Sequence, residues 1–228
     1  MMDSKLKSKI DSFFHQYKIL HYKKRSMILH SNDSSSSVFY IKSGYIRVYR
    51  ISEEGEELTL TILKPGDFFP LTYGFHHTQH SYYLEAITTL ELWKAPQEHF
   101  LQFMRADADV FYELTNRIFI RFDGFLTRLE YLVFSNAYTK VATTLLMCAK
   151  GLGEEIGDQI IVKVPLTHKD IATMVGITRE TTSLEMKKLE RKGLLTRNGK
   201  NIVITNYKLL ELEALQGNTE PISLPEAL

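Results

Sequence analysis

The sequence predicts an α+β fold: a small antiparallel β-roll, one long amphipathic helix, then two short helices closed by a β-hairpin. Three observations carry this prediction. Between residues 38 and 96, β-forming residues alternate with closely spaced turn signals. Between 107 and 134, apolar side chains recur in steps of three and four. Between 167 and 205, two capped helical segments flank a glycine and lead into an Asn-Gly pair. The expected domains are the roll over 1–106, the long helix over 107–135, a C-terminal domain over 136–212 and a flexible tail over 213–228.

Residues 5–17 read as a short amphipathic helix, and the serine run at 33–37 as a turn. The stretch "SVFYIKSGYIRVYRISEEGEELTLTILKPGDFF" is broken into short strands at "KSG", "EEGEE" and "KPGD". "YYLEAITTLELWKAP" adds two more strands, and Pro96 closes the series. Strands this short and close favour a small barrel or roll, cupin-like in outline.

The period then changes. Phe111, Leu114, Ile118, Phe122, Phe125, Leu129 and Leu132 form one stripe on a helix of roughly seven turns. Such a helix outruns a small roll, so part of its apolar face needs a partner helix, and a homodimer seam is expected. Asn136 stands as the N-cap of a further helix with Val141, Leu145 and Cys148 on its apolar face. Cys148 reads as a small core residue, because nothing beside it would activate a thiol. "GLGEEIGDQ" reads as a loop, "IIVKVPL" as a strand, and the two-proline tail "GNTEPISLPEAL" as unstructured.

The stretch "LTHKDIATMVGITRETTSLEMKKLERKGLLTRNGKNIVIT" is the most informative. Thr167 is placed as an N-cap with Asp170 at the capping-box position, and Ile171, Met174 and Val175 face inward. Gly176 permits a sharp turn, and Thr178 caps a second helix whose buried side is Thr182, Met186 and Leu189. A hairpin about Asn198 and Gly199, of type I′ by composition, follows. Two helices about a glycine turn with a hairpin behind them make a winged helix-turn-helix. Between 167 and 201, Lys169, Arg179, Lys187, Lys188, Arg191, Lys192, Arg197 and Lys200 face only Asp170, Glu180, Glu185 and Glu190. The local net of +4, in a chain whose total is +1, is the footprint expected for phosphates.

The totals narrow the function classes. A chain of 228 residues suffices for two cores, and 44% apolar with 24% charged residues argues against disorder. The near-neutral total gives no global pull toward nucleic acid or membrane, so any basic surface is local. A single cysteine excludes an intrachain disulfide, a cysteine-only zinc site and a cysteine-ligated iron–sulfur cluster. The opening "MMDSKLKSKIDSFF" lacks a signal-peptide core and no later run reaches membrane-spanning length, so the cytoplasm is the expected location.

Over "YIKSGYIRVYRISEEGEELTLTILKPGDFF", the long helix and "HKDIATMVGITRETTSLEMKKLERKGLL", the chain resembles the cyclic-AMP receptor protein/FNR family of bacterial transcription regulators. The resemblance runs in order over nearly the whole chain. It implies a cyclic-nucleotide-binding-domain type roll, a long dimerisation helix and a DNA-binding winged helix-turn-helix. It also implies a homodimer on near-palindromic operator DNA, with RNA polymerase as a partner for an activator. Arg179, Glu180 and Ser183 fall on the family's base-reading positions. Their chemistry agrees: Arg bridges guanine O6 and N7, Glu accepts from cytosine N4, and Ser serves either role. Leu184 stands where the family often has a further arginine; it can meet a thymine methyl but not guanine. Thr167, His168, Lys187, Lys188 and Lys200 are candidates for phosphate contact.

The stretch "GDFFPLTYGFHHTQHSYY" departs from the family's cyclic-nucleotide binders. Pro70 and Leu71 stand where a Gly-Glu pair belongs, and His80 and Ser81 where Arg-Ser belongs. Neutral histidine is a poor substitute for arginine on a phosphate. The Thr-Ser pair that receives the base falls near Phe125 and Leu126. These departures predict a pocket not built for cyclic AMP, with some other small-molecule effector or none. His76, His77 and His80 have no Cys or acid beside them and read as structural or solvated, so no metal and no cofactor is expected. Phe68, Phe69, Tyr73, Phe75, Tyr82 and Tyr83 read as core of the roll, with Tyr73 and Tyr82 the candidates for an effector pocket. A haem- or metal-based gas or redox sensor of the same fold remains a rival. A cupin-like enzyme lacks its metal triad, and a nucleotide-binding regulatory subunit is opposed by the DNA module. No enzymatic activity is expected.

Overall fold

A computed structural model describes residues 4–31, 33, 36–70 and 81–215. The chain divides into two units, one of Met1–Ile51 and Leu60–Phe119, the other of Ser52–Thr59 and Ile120–Leu228.

The first unit opens with α1 (Ser4–Phe14), three residues shorter than expected at its C-terminal end. Among the described residues eight strands follow: β1 (Lys18–Tyr22), β2 (Met27–Leu29), β3 (Ser37–Ser43), β4 (Ile46–Ile51), β5 (Glu57–Leu63, whose first three residues belong to the second unit), β6 (Phe68–Phe69), β7 (Tyr83–Ala86) and β8 (Leu90–Pro96). They form two four-stranded sheets, in the orders β1-β8-β3-β6 and β2-β7-β4-β5. The side-chain period of two explains both cores. On β3, Phe39 and Ile41 enter a core shared with Ile46, Val48 and Leu84 of the second sheet. Val38 and Tyr40 point the other way, into a core with Phe14, Phe100 and Met104. Phe68 and Phe69 divide between the same two cores, as expected of core aromatics. With both faces covered, β3 reads as an unbroken apolar run. Tyr40 donates its hydroxyl to Asp11 Oδ1 at 2.7 Å, and burial followed by that carboxylate pushes its pKa up.

Residues 97–106 form a helix not foreseen from the sequence, α2 (Gln97–Ala106), because only Phe100 and Met104 give it a buried face. The long helix α3 (Ala108–Phe134) runs 27 residues. Its Arg117 pairs with Glu113 and donates to the Gly66 carbonyl at 3.1 Å, tying the helix to the "KPGD" turn. Two adjacent faces of α3 differ sharply. Val110, Leu114, Arg117, Arg121, Gly124, Arg128 and Tyr131, spaced alternately by four and three, are buried or half-buried. Phe111, Ile118, Phe122, Phe125 and Leu129 are exposed, and Leu132 is half-buried. Leu114 therefore belongs to the core of the first unit, 1% exposed, and not to the expected seam. The exposed stripe continues from Phe111 by a step of four, to Thr115, so a step of three from Phe111 lands on the neighbouring face.

The second unit holds α4 (Ala137–Leu152), β9 (Gly153–Ile156), β10 (Gln159–Val162), α5 (His168–Val175), α6 (Arg179–Arg191), β11 (Leu195–Asn198), β12 (Asn201–Ile204) and α7 (Tyr207–Leu215). Asn136 caps α4 by accepting from the Thr139 amide at 3.0 Å. Val141, Leu145 and Cys148 are fully buried, and burial pushes the Cys148 thiol up to about 12. The segment expected to be a loop, "GLGEEIGDQ", instead finishes α4 and forms β9, the edge of the sheet β11-β12-β10-β9. Exposed Glu154 and Glu155 hid that strand; charge on an edge strand discourages pairing with other chains. Helix α7 was likewise not foreseen. Its Glu213 accepts from Lys192 at 2.7 Å and from the Tyr138 hydroxyl at 2.8 Å. The tail expected from 213 therefore starts later, since 213–215 belong to α7; residues from 216 on lie outside the described residues.

Within this unit Arg128, 6% exposed, donates from Nη2 to the carbonyls of Thr59 and Met174, each at 2.6 Å. Met174 lies in the last turn of α5, where carbonyls lack intrahelical partners. The Thr59 and Thr173 hydroxyls meet at 2.8 Å beside it.

Candidate nucleic-acid interface

Helix α5 begins in a full capping box: Asp170 N donates to Thr167 Oγ1 at 3.2 Å, and Thr167 N to Asp170 Oδ2 at 2.7 Å. It ends at Gly176, whose φ of 71° lies in the left-handed region and whose amide donates to the Ala172 carbonyl at 2.9 Å. Thr178 then caps α6, accepting from the Thr181 amide at 3.1 Å. Thr182, Met186 and Leu189 are buried, as are Ile171, Ala172, Met174 and Val175 on α5. The i, i+4, i+7 stripe fixes the rotation of α6 about its axis.

That rotation decides what α6 presents. Arg179, Glu180, Leu184, Lys187 and Lys188 are exposed, Leu184 to 60%, and Ser183 is half-buried. These positions fall within the first ten of the thirteen residues of α6. The wing follows on β11 and β12. Asn198 pairs with Asn201, so the two turn residues are Gly199 and Lys200, not Asn198 and Gly199. Only Gly199 has positive φ, at 59°, where a type I′ turn needs it at both positions; the pattern is that of type II′. Asn198 stays in the ladder, which moves the turn by one residue. Lys200 is thereby carried to the exposed hairpin tip.

The basic residues are not equivalent. Lys188 is paired with Glu185 at 2.7 Å, and Lys192 is held by Glu213 and lies 4.9 Å over the Tyr138 ring. Lys192 holds the Glu213 carboxyl below its usual range. Lys187 and Lys200 are exposed, and Thr167 is exposed but engaged in its capping box. His168, the first residue of α5, brings Nδ1 to 2.7 Å from Ser183 Oγ. Burial, then Arg197, Arg179 and Lys187, lower the His168 pKa against the opposing pull of Glu190. Two features escaped the sequence reading: the His168–Ser183 bond and the buried role of Arg128. A histidine fifteen residues from a serine gives no local signal, whereas Arg128 falls in register with Gly124 and Tyr131 and was detectable from that spacing.

In the roll, Tyr82 is half-buried against the core between the sheets, and Pro70 is buried. Leu71, Tyr73, Phe75, His76, His77 and His80 lie outside the described residues. Among the described residues no group of three or more His, Cys, Asp or Glu is placed to hold a metal ion. No described helix is long and apolar enough to cross a membrane.

Two family models match the chain: a cyclic nucleotide-binding domain over residues 19–107 and a Crp-like helix-turn-helix domain over residues 139–213. A cAMP-activated global transcriptional regulator of Pasteurella multocida is 28% identical over 184 residues, covering 80% of this chain and 88% of its own length. Among solved structures, a CooA mutant from Carboxydothermus hydrogenoformans superposes with a TM-score of 0.74 at 22% identity, over 89% of this chain and 90% of that one. FixK2 from Bradyrhizobium japonicum does so with a TM-score of 0.73, also at 22% identity, over 85% and 95%. The structural likenesses show the fold, and the two matched domains lie on either side of the long helix in sequence. The chain belongs to the cyclic-AMP receptor protein/FNR family of bacterial transcription regulators, and has that family's DNA-binding fold.

Proposed function

We propose that this chain is a homodimeric, sequence-specific transcription regulator that reads a near-palindromic operator through α6. The presentation of Arg179, Glu180 and Ser183 from a helix locked by its buried stripe carries this reading. Arg179, Glu180, Ser183 and Leu184 meet base edges in the major groove, while Thr167, His168, Lys187, Lys188 and Lys200 lie toward phosphates. The exposed stripe Phe111, Ile118, Phe122, Phe125 and Leu129, with half-buried Leu132 at its end, is the dimer seam. Residues 1–106 form the sensor, 107–135 the dimerisation helix and 136–212 the DNA-binding domain. The protein acts in the cytoplasm, with no enzymatic role, and RNA polymerase is its partner at activated promoters.

The matched relative is described as cAMP-activated. Pro70, Leu71 and His80 in place of the phosphate-holding residues, with Phe125 and Leu126 in place of the base-receiving pair, give this roll a different specificity. Its effector, where one acts, is a largely apolar or planar molecule met by few polar groups, Tyr73 and Tyr82 among them. Selection of bound DNA from a random pool tests the reading.

A further inference from the structure

We infer that His168 is a specificity-determining residue: through its bond to Ser183 it sets whether that hydroxyl meets a base as acceptor or as donor. The inference rests on the proposed reading of DNA by α6. Ser183 follows Glu180 and precedes Leu184 on α6, and is only partly exposed. Its Oγ is 2.7 Å from His168 Nδ1, a hydrogen bond made before any DNA arrives.

A serine hydroxyl has one proton and two acceptor lone pairs. When the imidazole is neutral with its proton on Nε2, Nδ1 is an acceptor and takes the only proton Ser183 has. The outward side of Oγ then offers lone pairs alone, which suit base donors: cytosine N4 or adenine N6. An imidazolium has no acceptor, so Nδ1–H donates to Oγ and the Ser183 proton turns outward. It then suits base acceptors: guanine O6 and N7, or thymine O4. One proton on His168 thus exchanges the class of base that Ser183 favours.

The groups around the ring set which form is present. Arg179, Lys187 and Glu190 face it from α6 and Arg197 from β11, while Lys169 and Asp170 follow it on α5. Burial and the three cations hold the ring neutral in the free protein at neutral pH, Glu190 acting against them. A DNA phosphate beside the ring would add to the pull of Glu190 and favour the cation.

The test uses the full chain and an operator obtained by selection, varied to all four bases at each symmetric position. Affinities are measured at about pH 8 and about pH 5, at one salt concentration. The expected result is that one symmetric base pair changes its preferred base, the ratio of affinities shifting roughly three- to tenfold, while preferences elsewhere hold. Ser183→Ala and His168→Leu should each abolish that shift. A gain in acid that is uniform over all sequences would make His168 a phosphate contact only and overturn the inference. So would a shift that survives in Ser183→Ala, or no shift at all, as from a neutral ring protonated on Nδ1. Absence of selective binding at both pH values would remove the DNA reading itself, a failure distinct from these.

Discussion

Arg179 and Lys187 sit two turns apart on one exposed side of α6, and in the proposed reading they have different tasks. Arg179, at the helix start, is proposed to meet a guanine edge with its fork of donors. Arg179→Ala should cost about 1–3 kcal/mol on the selected operator and relax preference at one symmetric base pair. Lys187→Ala should weaken binding to all sequences alike and reduce the salt slope by about one. Lys188 is already paired with Glu185, so its removal should change the slope less. Anisotropy titrations over a salt series separate these outcomes. Much of this site was legible because caps, glycine and the i, i+4, i+7 stripe are local signals: Thr167, Thr178, Gly176 and Met186 all lie where the sequence places them. What was not legible depends on partners distant in sequence. The pairing of Lys192 with Glu213 needs α7 in place, and the bond of His168 to Ser183 needs α5 crossed on α6.

Helix α3 presents its problem at the scale of the element. Its exposed side carries Phe111, Ile118, Phe122, Phe125 and Leu129, and also Tyr112, Phe119, Leu126 and Val133, a broad apolar band for a helix in water. Ile118→Glu or Phe125→Glu should give monomers by sedimentation and weaken operator binding, because the proposed dimer uses each position twice across its two-fold axis. An intact dimer in both would move the interface elsewhere. The adjacent, buried face makes a different prediction. Arg128→Met should leave the carbonyls of Thr59 and Met174 without that donor and lower stability by roughly 2 kcal/mol in urea unfolding. The helix itself was plain from its period. The assignment of Leu114 failed because one residue separates the inner face from the outer, and apolar type alone does not distinguish them. Helices α2 and α7 and strand β9 are short and held by tertiary contact, with too few buried residues to stand out as periodic runs.

At the scale of the whole molecule, the order of roll, long helix and helix-turn-helix was legible throughout, since each part has its own period. In the proposed reading, the specificity of the roll is where this chain parts from the cAMP-activated relative. Calorimetry with cyclic AMP or cyclic GMP at about millimolar concentration should show no binding, since a phosphate needs a fixed cation and the proposed reading puts His80 in the place of arginine. Heat saturating at one site per chain would reverse that reading of the pocket. An effector of any kind acts on DNA binding only through unequal affinity for two states of the protein. The homodimeric reading of DNA stands or falls on one measurement: selection by the full chain of bound duplexes from a random pool. The expected product is a pair of inverted half-sites centred about one helical turn apart, roughly 34–36 Å, each blurred at one base pair when Arg179→Ala is used. A pool that shows no enrichment, a single unrepeated half-site, or a motif unchanged by Arg179→Ala would contradict it.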